Sequence, residues 1–149
     1  MKIVKGIPEK YIEPILDWGI HFEHVMDKEY FKYYISWTVD FENSLMLLDD
    51  DENIVGAYLL NDNQIIHFVK DADNFKDLNG VEGILLFIEK QHRGKGWGNK
   101  LKDAPKDLGY DYIWGQQFKG LNNLQDWLKR RELIDQTHDI YITAEIFKK

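Results

Sequence analysis

The sequence of 149 residues contains no cysteine. That absence excludes disulfides, thiolate zinc sites, iron–sulfur clusters and a cysteine nucleophile. Proline occurs only three times, and there is no internal repeat or low-complexity stretch. No apolar run approaches the ~20 residues that span a bilayer. The opening MKIVKGIPEK lacks the apolar core of a secretory signal. Positive charge is also short, with 19 Lys+Arg against 26 Asp+Glu and a net charge of −7. Nucleic-acid binding needs a basic patch to neutralise phosphates, so this balance argues against it. It suits a cationic partner such as an amine better. The expectation is a cytoplasmic protein without a membrane or nucleic-acid partner.

What is present is ordinary for a soluble globular chain: 44% hydrophobic, 14% aromatic and 30% charged residues. A chain of this size buries roughly 68–70% of its unfolded surface, enough for a core without a metal or disulfide staple. One domain over residues 1–149 is expected, as monomer or homodimer.

Apolar spacing divides the chain. Lys2 to Lys5 reads as a short edge strand. From Pro8, the residues Ile12, Ile15, Leu16, Trp18 and Phe22 recur at helical spacing, with Gly19 placed to end or bend the helix. A second helix is predicted between Lys28 and Trp37, with Tyr30, Phe31, Tyr34 and Ile35 on one face. Ser44 to Leu48 and Ile54 to Leu60 read as strands around the turn-forming cluster Asp49-Asp50-Asp51-Glu52-Asn53. Gln64 to Val69 reads as another strand, followed by a polar connection over residues 70–80. The unbroken Ile84 to Ile88 predicts a central strand buried on both faces. Trp97, Leu101, Ala104 and Leu108 mark a helix that Pro105 should end or kink near Asp103 or Ala104. Tyr112 to Trp114 is a strand, and Leu121, Leu124, Trp127 and Leu128 a last helix. Ile140 to Phe147 alternates as a half-buried strand. The order of elements predicts an α/β layer architecture with a mixed sheet.

Between the central strand and its helix lies Gln91-His92-Arg93-Gly94-Lys95-Gly96-Trp97-Gly98-Asn99-Lys100-Leu101. Glycines let a backbone approach a ligand closely and turn successive N–H groups outward. At a helix N-terminus, the free N–H groups and the positive end of the dipole favour a phosphate. Arg93, Lys95 and Lys100 add local positive charge. The loop is not the nucleotide pattern G-x-x-x-x-G-K-S/T, nor the dinucleotide pattern G-x-G-x-x-G.

This segment resembles the signature of the GNAT acyltransferases: Gln or Arg, two residues, Gly, one residue, then Gly or Ala, directly after the central strand. Gln91, Gly94 and Gly96 fill it. Arg93, Gly94, Gly96 and Gly98 fill the longer form R-G-x-G-x-G. The element order extends the resemblance over most of the chain. It implies a single-domain fold with a central, mostly antiparallel sheet flanked by helices. It also implies acetyl-CoA as cosubstrate, an amine acceptor (small molecule or protein), and no metal. The pyrophosphate would rest on backbone N–H groups of the loop, from Arg93 through Gly94, Lys95, Gly96, Trp97 and Gly98 to Asn99, with Gln91 beside them. The pantetheine arm would pair with Leu86, Phe87 and Ile88, where a backbone N–H would polarise the thioester carbonyl. Asn122 or its neighbour Asn123 would touch the cofactor.

Amine acetylation needs a group to take the amine's proton and one to neutralise the leaving thiolate. By the same resemblance the base is Glu82, early on the signature strand, ahead of Glu89. The family's usual tyrosine acid is absent, since its slot falls on Leu128 or Lys129, and Glu132-Leu133-Ile134 replaces the closing Gly-Phe. Tyr112, Tyr141 or water would then supply the proton. The reaction implied is direct transfer of acetyl from acetyl-CoA to a primary amine in a ternary complex. The alternative is a weak or inactive CoA-binding or interaction module. His21 and His24, three apart on a helix with His67 elsewhere, read as helix histidines rather than metal ligands. The aromatics Tyr30, Phe31, Tyr33, Tyr34 and Trp37 read as core on one side and, by the resemblance, as a border of the acceptor pocket. The acidic cluster reads as a solvated turn.

Overall fold

The change from helical to alternating spacing near Ser44 is where the first hairpin forms in the computed structural model, which describes residues 1–120 and 124–147. Its strands are β1 (Lys2–Lys5), β2 (Leu45–Leu48), β3 (Ile54–Asn61), β4 (Gly80–Ile88), β5 (Tyr112–Phe118), β6 (Glu132–Gln136) and β7 (Ile140–Ile146). They form one seven-stranded sheet in the order β1-β2-β3-β4-β5-β7-β6. β4 and β5 run parallel, whereas β1–β2, β2–β3, β5–β7 and β6–β7 are antiparallel. The predicted mixed sheet is therefore present. The chain divides into two compact units, Met1–Asn61 with Ile84–Leu101, and Asp62–Gly83 with Lys102–Lys149. No helix among the described residues is long and apolar enough to cross a membrane.

In the first unit the helical spacing after Pro8 becomes a 3-10 turn (Glu9–Tyr11), α1 (Ile12–Leu16) and a longer 3-10 stretch (Asp17–Phe22). Gly19 does not end it. A Cβ there would come within 2.9 Å of the Phe31 ring, so the glycine serves close packing on α2 (Lys28–Thr38). Asp27 caps α2, its carboxylate accepting the Glu29 N–H at 3.4 Å. Phe31 and Ile35 face the core, with Ile15, Leu16, Trp18, Met46, Ala57, Leu59 and Phe87. Tyr30, Tyr33 and Trp37 do not; they are 54, 62 and 79% exposed.

The acidic cluster is a tight turn. Asp49 accepts the N–H groups of Asp51 and Asn53, each at 2.9 Å, and these bonds hold its carboxyl below the usual carboxylate range. The N-terminal ammonium pairs with Asp50 at 2.9 Å and Lys2 with Glu52 at 3.1 Å, so the chain supplies its own counter-charges.

In the second unit Ile65, Val69, Phe75, Tyr112, Trp114, Ile142 and Ala144 form the core. Gln64–Val69 is not a strand. It holds a 3-10 turn at Ile65–His67, because its polar groups bond away from any ladder. The Gln64 amide exchanges two 2.8 Å bonds with the backbone of Gly80, and the Ile65 N–H goes to the Tyr112 hydroxyl at 3.1 Å. α3 (Trp97–Asp107) runs through Pro105 rather than stopping before it. Pro105 lacks only one N–H near the helix end, and Leu108 and Gly109 close the last turn through bonds to Pro105 and Lys106 carbonyls. α4 is Leu124–Leu128.

Three strands also depart from the sequence pattern. β6, polar and mostly exposed, was not anticipated; it forms because β7 lies between it and β5 and offers a free edge. β7 does not simply alternate, since Ile142, Thr143 and Ala144 are all buried while Ile146 is 49% exposed. Ile142 and Ala144 pack into the core on one face, and Thr143 on the other is covered by the Arg131 side chain, whose Nη1 donates to its hydroxyl. In β4, Phe87 and Ile88 are buried but Ile84, Leu85 and Leu86 are only half-buried. Its ladder with β5 covers only Gly80↔Tyr112 to Gly83↔Gly115, so an apolar run there need not mean full burial.

Candidate functional site

β4 ends in a loop whose geometry follows from its glycines. After Ile88, the Glu89 N–H bonds to Val55 O at 2.8 Å, and Lys90–His92 makes a 3-10 turn. Gly94 and Gly96 then adopt φ of +77° and +88°, a region side chains rarely enter. A Cβ on either would meet nothing within 4 Å. Conformation and not crowding therefore calls for glycine, and the space above the loop is open. Gly98 differs: it lies inside α3, where a Cβ would be 3.8 Å from Ile88 Cδ1, an ordinary contact.

α3 begins at Trp97, and the Lys100 N–H closes onto Gly96 O at 3.2 Å. The N–H groups of the preceding turn have no partner within the helix. With Lys95, Gly96, Asn99 and Lys100 exposed, this end offers donors and positive potential to an anion. Two cations are anchored locally. Arg93 Nε donates to Ile88 O at 2.6 Å and its guanidinium lies 5.4 Å from the centre of the Phe87 ring. Lys100 Nζ lies 4.2 Å over Trp97. Gln91 turns aside to donate to Glu89 at 3.0 Å.

In the second unit Glu82 is buried at 4% exposure. Asn63 Nδ2 donates to Oε1 and Gln116 Nε2 to Oε2, each at 3.0 Å. A buried carboxylate is tolerable when each oxygen has a donor, and this pairing supplies both. Neither amide was legible in the sequence. Asn63 lies in a polar connection, and Gln116 reaches Glu82 only through the β4–β5 register, two residues beyond Trp114, which pairs with Glu82.

No family model and no curated protein matches the sequence. Solved structures do match its fold. PH1933 from Pyrococcus horikoshii OT3 superposes with a TM-score of 0.73 at 16% identity, covering 99% of both chains. The PaiA N-acetyltransferase of Thermoplasma acidophilum, in complex with coenzyme A, has a TM-score of 0.64 at 12% identity, over 99% of this chain and 100% of that one. A GNAT-family acetyltransferase from Staphylococcus aureus Mu50 matches at 0.64 and 13%, over 99% of both. The chain has the GNAT fold. At these identities the likeness is one of architecture.

Within the GNAT fold, the signature loop takes up its expected place between strand and helix. The residues of the missing tyrosine's slot end α4: Leu128 is half-buried, and the exposed Lys129 pairs with Asp126 at 3.4 Å. Tyr112 is fully buried, and its hydroxyl is committed to Ile65 and Gln64. Burial pushes its phenol above the usual tyrosine range, with the Ile65 N–H acting against that rise. Tyr141 is half-buried under Lys119, whose Nζ is 4.7 Å from the ring centre. Asn122 and Asn123 lie outside the described residues. His21 stacks on Phe87 at 5.2 Å, while His24 is exposed and His67 belongs to the second unit. Among the described residues, no group of three or more His, Asp or Glu side chains is arranged to hold a metal ion.

Proposed function

We propose that the chain is a single-domain N-acetyltransferase that moves acetyl from acetyl-CoA to a primary amine by direct attack in a ternary complex. One observation carries this reading. Two left-handed glycines open the space above a helix N-terminus directly after the central strand, in a GNAT fold. An open loop of this kind presents backbone donors to a pyrophosphate. In the reading proposed, the backbone from Arg93 to Asn99 holds the pyrophosphate and Leu86 to Ile88 take the pantetheine arm. Glu82 receives the amine's proton. The coenzyme A bound by the PaiA enzyme supports the choice of donor. The acceptor is a small molecule or a protein amine, and the protein works in the cytoplasm as monomer or homodimer.

The commitment of the Tyr112 hydroxyl to the fold, and the absence of tyrosine at the end of α4, favour a second reading. In it the chain binds CoA without turning it over. Thermal unfolding with acetyl-CoA, CoA and ATP tests the shared premise, repeated on Gly96→Glu. A ligand specific to the folded state stabilises it by ~2.7 kcal/mol at a hundredfold excess over its dissociation constant. Stabilisation by both CoA species but not by ATP, and lost in Gly96→Glu, is expected. No response to CoA sinks both readings. Turnover of acetyl-CoA with a panel of amines then separates the enzyme from the binding module.

A further inference from the structure

Lys102 belongs to the second unit and is half-buried, with its Nζ 4.9 Å from the centre of the Trp127 ring. The same indole carries a second cation, the Arg131 guanidinium, whose carbon is 4.2 Å from the ring centre. Arg131 is held there. It is 5% exposed, and its Nη1 donates to Thr143 Oγ1 at 3.2 Å, a hydroxyl that donates in turn to Gln117 Oε1 at 2.8 Å. Thr143 pairs in register with Gly115, where a Cβ would lie 2.9 Å from Nη1, so glycine leaves the guanidinium its place against the strands. An arginine cannot give up its proton in a protein, so this charge is permanent.

The carboxylates of the neighbourhood are engaged by other cations. Arg130 takes two, Asp103 and, through Nε at 3.3 Å, Glu145. Lys129 takes Asp126 at 3.4 Å. Among the described residues, no carboxylate pairs with Lys102. A partly desolvated amine beside fixed cations favours its uncharged form, and the uncharged amine is the nucleophile. Burial first, then Arg130 and Arg131, pull the Lys102 ammonium below the ordinary lysine range, with Lys129 acting in the same sense and Asp126 against it. Lys106, one turn later on the same helix, is exposed.

We propose that Lys102 is a nucleophilic lysine, a modification site that takes acetyl from small acyl thioesters ahead of the exposed Lys106. The Nζ lone pair attacks the thioester carbonyl carbon and forms the C–N bond. Collapse breaks the C–S bond, whose electron pair leaves on sulfur, and the amine's proton ends on the thiol. The products are an N-acetyl-lysine and a free thiol. The amide is neutral, so the product no longer opposes the two arginines. Neither the loop after β4 nor Glu82 takes part.

S-Acetyl-N-acetylcysteamine, a thioester without the nucleotide and pyrophosphate of acetyl-CoA, tests this. The intact protein is exposed to it briefly at several pH values, and mass spectrometry of its peptides reads the acetyl gained by each lysine. Near neutral pH, Lys102 should be acetylated about 3–10-fold faster than Lys106. The ratio should shrink as pH rises, because alkali frees every amine. Arg130→Gln releases Asp103 and Glu145 and should abolish most of the advantage. Lys129→Gln, at an exposed position, releases Asp126 and should remove part of it. Equal rates at Lys102 and Lys106 in the wild type overturn the proposal, as does an advantage that both variants leave intact. Should Arg130→Gln not fold, Lys129→Gln decides. Failure of CoA to stabilise the protein overturns the acetyltransferase reading and leaves this result standing.

Discussion

Gln116 Nε2 lies 3.0 Å from Glu82 Oε2, and Asn63 Nδ2 stands at the same distance from the other carboxylate oxygen. Glu82 is thus gripped from both sides by neutral donors, fixed in place without a counter-ion among these contacts. A carboxyl buried this deeply needs a donor at each oxygen, and in the acetyltransferase reading proposed above it is the group that receives the amine's proton.

Glu82→Gln separates position from chemistry. The amide keeps the shape but replaces one accepting oxygen with a donor facing a donor. Stability should fall by about 1–3 kcal/mol. Acetyl transfer should drop by about 10²–10⁴-fold in kcat. The thermal shift produced by CoA should survive, because nothing in the loop depends on that carboxylate. A variant that loses stability yet keeps kcat would make Glu82 a structural carboxylate.

Arg93 ties the loop to its strand through Ile88 O and lies against the Phe87 ring. Arg93→Met keeps an apolar chain against the ring and removes the donor. Global stability should change by no more than about 1–2 kcal/mol, the worth of a hydrogen bond to a charged group that is partly exposed. Affinity for CoA, read by calorimetry, should fall about tenfold, or 1.4 kcal/mol. Arg93→Lys restores the charge without the Nε geometry. If it restores full affinity, charge alone matters and the bond to Ile88 is incidental.

How far the sequence reveals this molecule depends on the range of the interactions that decide each part. The hairpin at Asp49–Asn53, α2 and the glycine loop between β4 and α3 are local, set by turn residues, spacing and glycine, and are legible in the sequence. Pro105 misled because local propensity says stop, whereas the loss of one N–H near a helix end is small against the burial of Leu101 and Pro105. Gln64–Val69 misled because its apolar content matches a strand, while the Gln64 amide and the Tyr112 hydroxyl take the backbone groups a strand would pair. β6 carries too little apolar residue to stand out and owes its place to the edge of β7. The partners of Glu82 and the site of Arg131 follow from register, which no single segment encodes.

Tyr112 offers a test of that long-range bonding. Its hydroxyl accepts the Ile65 N–H at 3.1 Å and donates to Gln64 Oε1 at 3.3 Å. Tyr112→Phe leaves the Ile65 N–H buried without this partner, so urea unfolding at pH 7 should show a loss of about 1–3 kcal/mol. The pH dependence has a definite sign. Burial raises the folded-state phenol above its ordinary value of 10.0, so the unfolded chain loses this proton first. The wild type's advantage is fully present below about pH 10 and shrinks as pH rises through the folded-state value. The seven other tyrosines (8 − 1) are common to both proteins and cancel in the comparison. The gap between wild type and Tyr112→Phe should therefore narrow above pH 10. A gap that stays constant through the alkaline range would mean that the phenol is not buried against Ile65 and Gln64, and the turn replacing the expected strand would need another cause.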